Sequence, residues 1–215
     1  MIYLVDRIKQ DVRICMDENR TTDSLFADGD VETLKLDEVI ESKILEAVKR
    51  VHLAAPYWLL EQGHNFEDEA DAVYWGDLES GWVHLPSDFL RLVVFEMSDW
   101  ERPVYKVISM EDPLYARQRS RVKALRGTAE RPVCAIGVRP EGKVLEFYSC
   151  KSDNAVVTKA VYIPYPEVDE MGGVDISERC YDAVVYMTAG LALTGVGEAE
   201  KAAVLFDKAK TLIEQ

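Results

Sequence analysis

Eleven residues near one end of the chain, AVVYMTAGLAL from Ala183 to Leu193, are apolar on almost every side of a helix. A helix of that kind has no face to show to water and must be covered from several directions. The run is about half the length that a bilayer span requires. The cover is therefore expected from other helices of the same chain, and the remaining sequence is read for them.

Candidates lie at both ends. Residues 3–16 put Val5, Ile8, Val12 and Cys15 on one stripe, followed by the polar loop DENRTTDSLFADGD. From Asp37, the expected N-cap, the residues Ile40, Ile44, Ala47, Val48, Val51 and Ala55 fall on an arc of about 100°. Glu46 and Arg50 are spaced to pair on the opposite side. Pro56 breaks this helix, and YWLLEQG closes it. The apolar helix itself is expected to start from Asp175 or Ser177. A last helix, Glu198–Glu214, brings Ala199, Ala202, Ala203, Phe206 and Ile213 to one face, where small side chains permit close approach.

The middle of the chain has a different period. Between Ala72 and Pro164 stand six of the eight prolines and a series of short β-rich runs: AVYW, GWVHL, LRLVVFEM, PVYKVI, PVCAIGV, KVLEFYSC and AVVTKAVYI. LRLVVFEM is apolar on both faces and reads as a central strand. PVCAIGV pairs with KVLEFYS through the RPEGK turn. The fold class that follows is α+β, with N- and C-terminal helices forming a bundle that carries an inserted antiparallel β-sheet or small barrel. Residues 1–71 and 165–215 make the helical domain. Residues 72–164 make the insertion, with a short basic helix near 113–126.

Composition narrows the function. The 215 residues carry a net charge of −14, which opposes a main role in gripping nucleic acid, since that affinity comes from Lys and Arg neutralising phosphates. Charge appears early in MIYLVDRIKQDVR, so no secretory leader and no membrane anchoring are expected. The four widely spaced cysteines, Cys15, Cys134, Cys150 and Cys180, read as buried reduced thiols of a chain made in the cytoplasm. His52, His64 and His84 form no H-E-x-x-H pattern, NFEDEADA at 65–72 reads as a solvated loop, and DGDVE at 28–32 misplaces its glycine for a calcium loop. No nucleophile elbow, phosphate loop or dinucleotide fingerprint occurs. No catalytic residue, metal or cofactor is expected.

The sharpest electrostatic feature is local. Arg117, Arg119, Arg121, Lys123, Arg126 and Arg131 stand against the single acid Glu130 between Leu114 and Arg131. On a helical wheel these cations flank a weak apolar stripe instead of forming one row. Three uses are open: a helix lying on the sheet with its charges outward, docking to an acidic neighbouring subunit, or nucleic-acid binding.

The densest stretch is WVHLPSDFLRLVVFEMSDWERPV, residues 82–104. Its L-P-x-D-F-x-R pattern, entered from a strand and continued by an apolar strand ending in WERPV, resembles the β insertion of tailed-phage head-to-tail adaptor (connector) proteins. The order of amphipathic helix, strands and C-terminal helical pair is similar too. The resemblance implies a non-enzymatic virion protein: a ring, usually of twelve copies, that docks beneath the portal protein at the portal vertex, receives tail proteins and lets DNA pass without specific binding. An acidic lumen is consistent with passage. Pro86 is expected to end a strand, Asp88 to cap the turn, Phe89 to anchor it in the core and Arg91 to bind a carboxylate. Trp82, Trp100, Arg102 and Pro103, with Arg117, Arg119 and Arg121, complete the candidate subunit or portal interface.

Two rivals belong to other classes. A nucleic-acid module would use the basic 113–131 segment. An enzyme would need a pocket joining remote groups, such as His84 with Asp88 or Asp99.

Overall fold

The two periodicities sort the chain into two units, residues 1–62 with 166–215 and residues 63–165. The computed structural model describes residues 1–16, 36–60 and 63–214. The expected polar loop and its DGDVE segment lie outside the described residues. The fold is mixed α+β, and no sheet closes into a barrel.

In the first unit the chain opens with a short strand, β1 (Ile2–Leu4), and then α1 (Val5–Cys15). The continuous helix expected from residue 3 therefore starts two residues later. The first residues extend because they pair antiparallel with Gly173–Asp175. Helix α2 (Leu36–Ala54) buries Ile40, Ile44, Ala47, Val48 and Val51 along the expected arc, with Ala55 buried just beyond it. Each large aliphatic there contributes about 1.5–3 kcal/mol by leaving water. Glu46 and Arg50 pair on the outer face at 2.5 Å. Asp37 lies inside the first turn instead of capping it, because its carboxylate is taken by Arg13 of α1 at 2.6 Å. Lys9 and Glu41 make a parallel bridge at 3.0 Å.

The second unit follows, and it is entirely sheet and loop apart from two short helices. Its strands are β2 (His64–Asn65), β3 (Tyr74–Trp75), β4 (Gly81–His84), β5 (Phe89–Met97), β6 (Val107–Ser109), β7 (Val133–Arg139), β8 (Gly142–Tyr148) and β9 (Val157–Pro164). The helices are α3 (Glu67–Ala70), formed by the acidic run expected as a loop, and α4 (Pro113–Arg117). Burial of Phe66 and Ala70 explains why that run folds. One sheet has the order β2-β9-β5 and the other β3-β4-β8-β7-β6. Pairing is antiparallel except for β6 beside β7, which is parallel. The expected hairpin is present, with β7 paired to β8 from Val133↔Tyr148 to Arg139↔Gly142.

The assignment of LRLVVFEM to a central strand is corrected. β5 is the outer strand of its sheet, touched on its free side by the single bridge Phe95↔Val104. Its lack of alternation comes from register shifts between Phe89 and Arg91, between Leu92 and Val94, and between Glu96 and Met97. Each bulge resets the inward phase, so Phe89, Leu92, Phe95 and Met97 are buried at spacings of three, three and two. The centre of the other sheet is β8, buried on both faces from Val144 to Tyr148. The two sheets share an aromatic core, in which Phe95 lies 6.2 Å from Phe147 and Trp100 lies edge-on to both.

The chain then returns to the first unit through β10 (Gly173–Asp175), the partner of β1. A 3-10 turn, Glu178–Cys180, precedes α5 (Tyr181–Gly195). Ser177 does not cap by its side chain, because its hydroxyl donates to the Leu59 carbonyl. The apolar run lies in α5, which packs against α1, α2 and the last helix, α6 (Ala199–Glu214). Close approach of α6 occurs at Gly190, where a Cβ would lie 2.6 Å from the Phe206 ring. The face α6 buries is Ala202, Leu205, Ala209 and Ile213, with Ala199 and Ala203 exposed. That corrects the expected face, since the helix turns Leu205 inward in place of the smaller residues.

Candidate functional site

The basic segment is not a helix over 113–126. Asp112 caps α4 by accepting from the Leu114 N–H at 2.8 Å, with Pro113 at the first position, but the helix stops at Arg117. Buried Gln118 ends it. Its Nε2 donates back to the Leu114 carbonyl at 2.9 Å, and its Oε1 accepts from the Gly127 N–H at 2.7 Å. Those bonds close residues 118–127 into a loop, and a longer helix would forgo them. At the far end Arg126 is buried, donating to the Leu78 carbonyl at 2.8 Å and facing Glu79 at 3.7 Å. Gly127 sits where a Cβ would lie 2.3 Å from the Tyr148 carbonyl oxygen, so only glycine allows the loop to approach β8 this closely.

Between this loop and the sheet lies a cleft of about 870 Å³. Trp75, Trp82 and Tyr148 form its aromatic part, and Arg119, Arg121 and Arg139 its cationic part. Leu78 on its rim and the next residue, Glu79, are both left-handed, at φ 64° and φ 52°. Such backbone costs about 1–2 kcal/mol per residue without glycine. Here it is held by the Arg126 bond and by the Cys150 N–H donating to the Glu79 carbonyl at 2.8 Å.

Beside the cleft lies a polar cluster around the buried Glu146. The Glu146 carboxylate of β8 accepts from Tyr148 Oη at 2.7 Å, Tyr115 Oη at 2.8 Å and the Arg139 guanidinium at 2.8 Å. Burial raises the Glu146 pKa, but the bonds from Tyr148, Tyr115 and Arg139 outweigh it and hold the group below the usual glutamate range. Burial and the neighbouring carboxylate push both phenols upward. The cluster is a net-neutral ion pair, Glu146 with Arg139, whose carboxylate also accepts from two phenols. The thiols are similarly quiet: burial pushes Cys134 up, and burial with Asp99 pushes Cys150 up to about 12.

The candidates from the 82–104 stretch separate by role. Trp82 is half-buried at the cleft, stacked on Tyr74 at 4.1 Å with the Arg139 guanidinium 4.9 Å from its ring centre. Pro86 starts a turn whose carbonyl accepts from the Phe89 N–H at 3.1 Å. Phe89 is buried and stacked on Tyr162. Asp88 does not cap that turn by its side chain: its carboxylate accepts from Tyr162 Oη instead. Arg91 is half-buried on β5 opposite Ile163. Trp100 is a core residue, Arg102 is exposed and Pro103 is half-buried in the following loop. Arg117, at the end of α4, is exposed and does not line the cleft, whereas Arg119 and Arg121 do.

His84 of the rival enzyme reading packs edge-on to Trp82 and Tyr74, and Asp88 and Asp99 are engaged elsewhere, by Tyr162 and by the N–H groups of Lys151 and Ser152. Among the described residues no group of three or more His, Cys, Asp or Glu is placed to hold a metal, and no helix is long and apolar enough to cross a membrane. The sequence reading missed Arg139, Glu146 and Tyr148. A usable signal was present in VLEFY, where a lone acid interrupts an apolar strand and needs buried donors.

Compared with known proteins, the chain matches no protein-family model and no curated protein.

Proposed function

We propose that this chain is a ring-forming structural adaptor of a tailed phage, docking beneath the portal, connecting it to the tail and letting DNA pass. The observation that carries the reading is the turn built by Leu85 to Arg91. The residues that carry the resemblance are spent on the fold of the insertion: Asp88 is tied to Tyr162, and Phe89 stacks on the same ring. In this reading the motif shapes the β insertion that carries the inter-subunit or portal contacts.

Three further features support it. The sheet unit is one continuous stretch between the two parts of the helical unit, and in this reading α1, α2, α5 and α6 form the bundle that carries it. The cluster beside the cleft is a net-neutral ion pair, Glu146 with Arg139, bonded by two phenols, an arrangement suited to holding structure. The net charge of −14 suits a lumen that passes DNA without holding it.

In this reading the free chain is soluble and its ring forms on the portal, usually with twelve copies. The test is to mix purified chain with portal-bearing particles and image them. Added density at the portal vertex is expected. Labelled chain found only in the soluble fraction of infected cells, and absent from virions, would show the reading to be wrong.

A further inference from the structure

The arginine-lined cleft and one turn of the helical unit carry opposite charges that the fold leaves unmatched. Arg119 and Arg121 have no carboxylate partner among the described residues, while Arg139 is already paired to Glu146. The cleft sets these three arginines against one acid, Asp77, in a chain of net charge −14. Gln118 and Arg126 pin the two ends of the loop that carries Arg119 and Arg121. Less order is then lost when an anion binds.

The turn is Glu167–Met171. Asp169 rigidifies it: its N–H donates to the Gly173 carbonyl at 2.8 Å, and its Oδ1 accepts from the N–H groups of Met171 at 2.8 Å and Gly173 at 2.7 Å. Gly172 supplies the left-handed residue at φ 77°. Glu167 and Glu170 are exposed and have no basic partner among the described residues. Met171 is 86% exposed, more than any other large hydrophobic described.

We propose that the cleft of one copy receives the Glu167–Met171 turn of a second copy. Glu167 and Glu170 pair with Arg119 and Arg121, and the Met171 thioether seats against Trp75 and Trp82, a contact that aromatic edges favour. A nucleic-acid strand fits less well. The Trp82 ring is already engaged by Tyr74 and Arg139, and the whole chain repels polyanions. In a ring each copy gives its turn to one neighbour and its cleft to the other. The contact rests on the ring reading above and names its joint.

The test uses the full chain without portal. Sedimentation at up to about 1 mM reads self-association, in the range of weak contacts. A backbone-cyclised peptide of residues 166–174 is titrated into the same chain, with tryptophan fluorescence as readout. Binding is expected, weakened about tenfold or more in Arg119→Glu/Arg121→Glu and regained when that variant meets a peptide carrying Glu167→Arg and Glu170→Arg. Binding that is unchanged by charge reversal would overturn the proposal. So would absence of both self-association and peptide binding at about 1 mM, or an oligonucleotide binding the cleft where the peptide does not. Because no portal is present, failure here leaves the adaptor reading standing, and a chain that makes this contact yet is absent from virions sinks the adaptor reading alone.

Discussion

Asp88 and Tyr162, 74 residues apart, are joined by a phenol that donates to both carboxylate oxygens, at 2.9 and 3.0 Å. The bond fastens the turn before β5 to β9, the strand that β5 pairs with. A second tie runs alongside it, the Tyr165 N–H donating to the Asp88 carbonyl at 2.6 Å.

Tyr162→Phe is therefore expected to lower unfolding stability by about 1.5–3 kcal/mol, the range for a hydrogen bond to a charged group. Asp88→Ala should cost a similar amount. The double variant should cost clearly less than the sum, because both changes remove the same bond. Urea unfolding of the four proteins measures this, and simple additivity would show the bond to be worth nothing.

Trp100 separates packing from hydrogen bonding. It is 7% exposed, packed edge-on to Phe95 and Phe147, and its Nε1 faces the Cys150 thiol without a regular hydrogen bond among the described residues. Trp100→Ala should cost about 3–5 kcal/mol. Trp100→Phe should cost clearly less, since it keeps most of the ring and removes a buried donor whose nearest acceptor is only a weak one, the Cys150 sulfur. Equal losses in the two variants, measured by thermal and urea unfolding, would mean that the indole N–H matters after all.

Glu146 sets a pH dependence. Its folded pKa lies below the usual value of about 4.3 for an unfolded glutamate. Its contribution to stability is therefore fully present above that value and is lost as pH falls through the folded pKa. Glu146→Gln should destabilise the protein at pH 7 by leaving Arg139 without its ion pair, and should flatten the fall in melting temperature on the acid side. Melting curves from pH 7 down to about 3 check this. An acid limb equally steep in both proteins would exclude Glu146 as its source.

Several elements were legible in the sequence because their causes are local. The apolar arc of α2 and the all-round apolar α5 follow from a 3.6-residue period, and the β7–β8 hairpin follows from turn chemistry at RPEGK. The Glu46–Arg50 pair follows from spacing alone. Of the cleft, the sequence offered Trp82, Arg119 and Arg121, as an aromatic and two charges in a basic cluster, without placing them together.

Tertiary structure decided the rest. The bulges of β5 exist only against β9, so a run that looks central from its composition is an outer strand whose inward phase is reset three times. The basic segment has the composition of a helix, yet Gln118, Gly127 and the bond from Arg126 to Leu78 hold it as a loop. Glu146, Tyr115, Tyr148 and Arg139 meet only once the sheet has formed around them. Periodicity records what a residue does with its near neighbours in the chain. The free energy of these contacts comes from buried groups finding partners across the fold, and for Tyr115 with Glu146 or Arg126 with Leu78 no short window of sequence contains both partners.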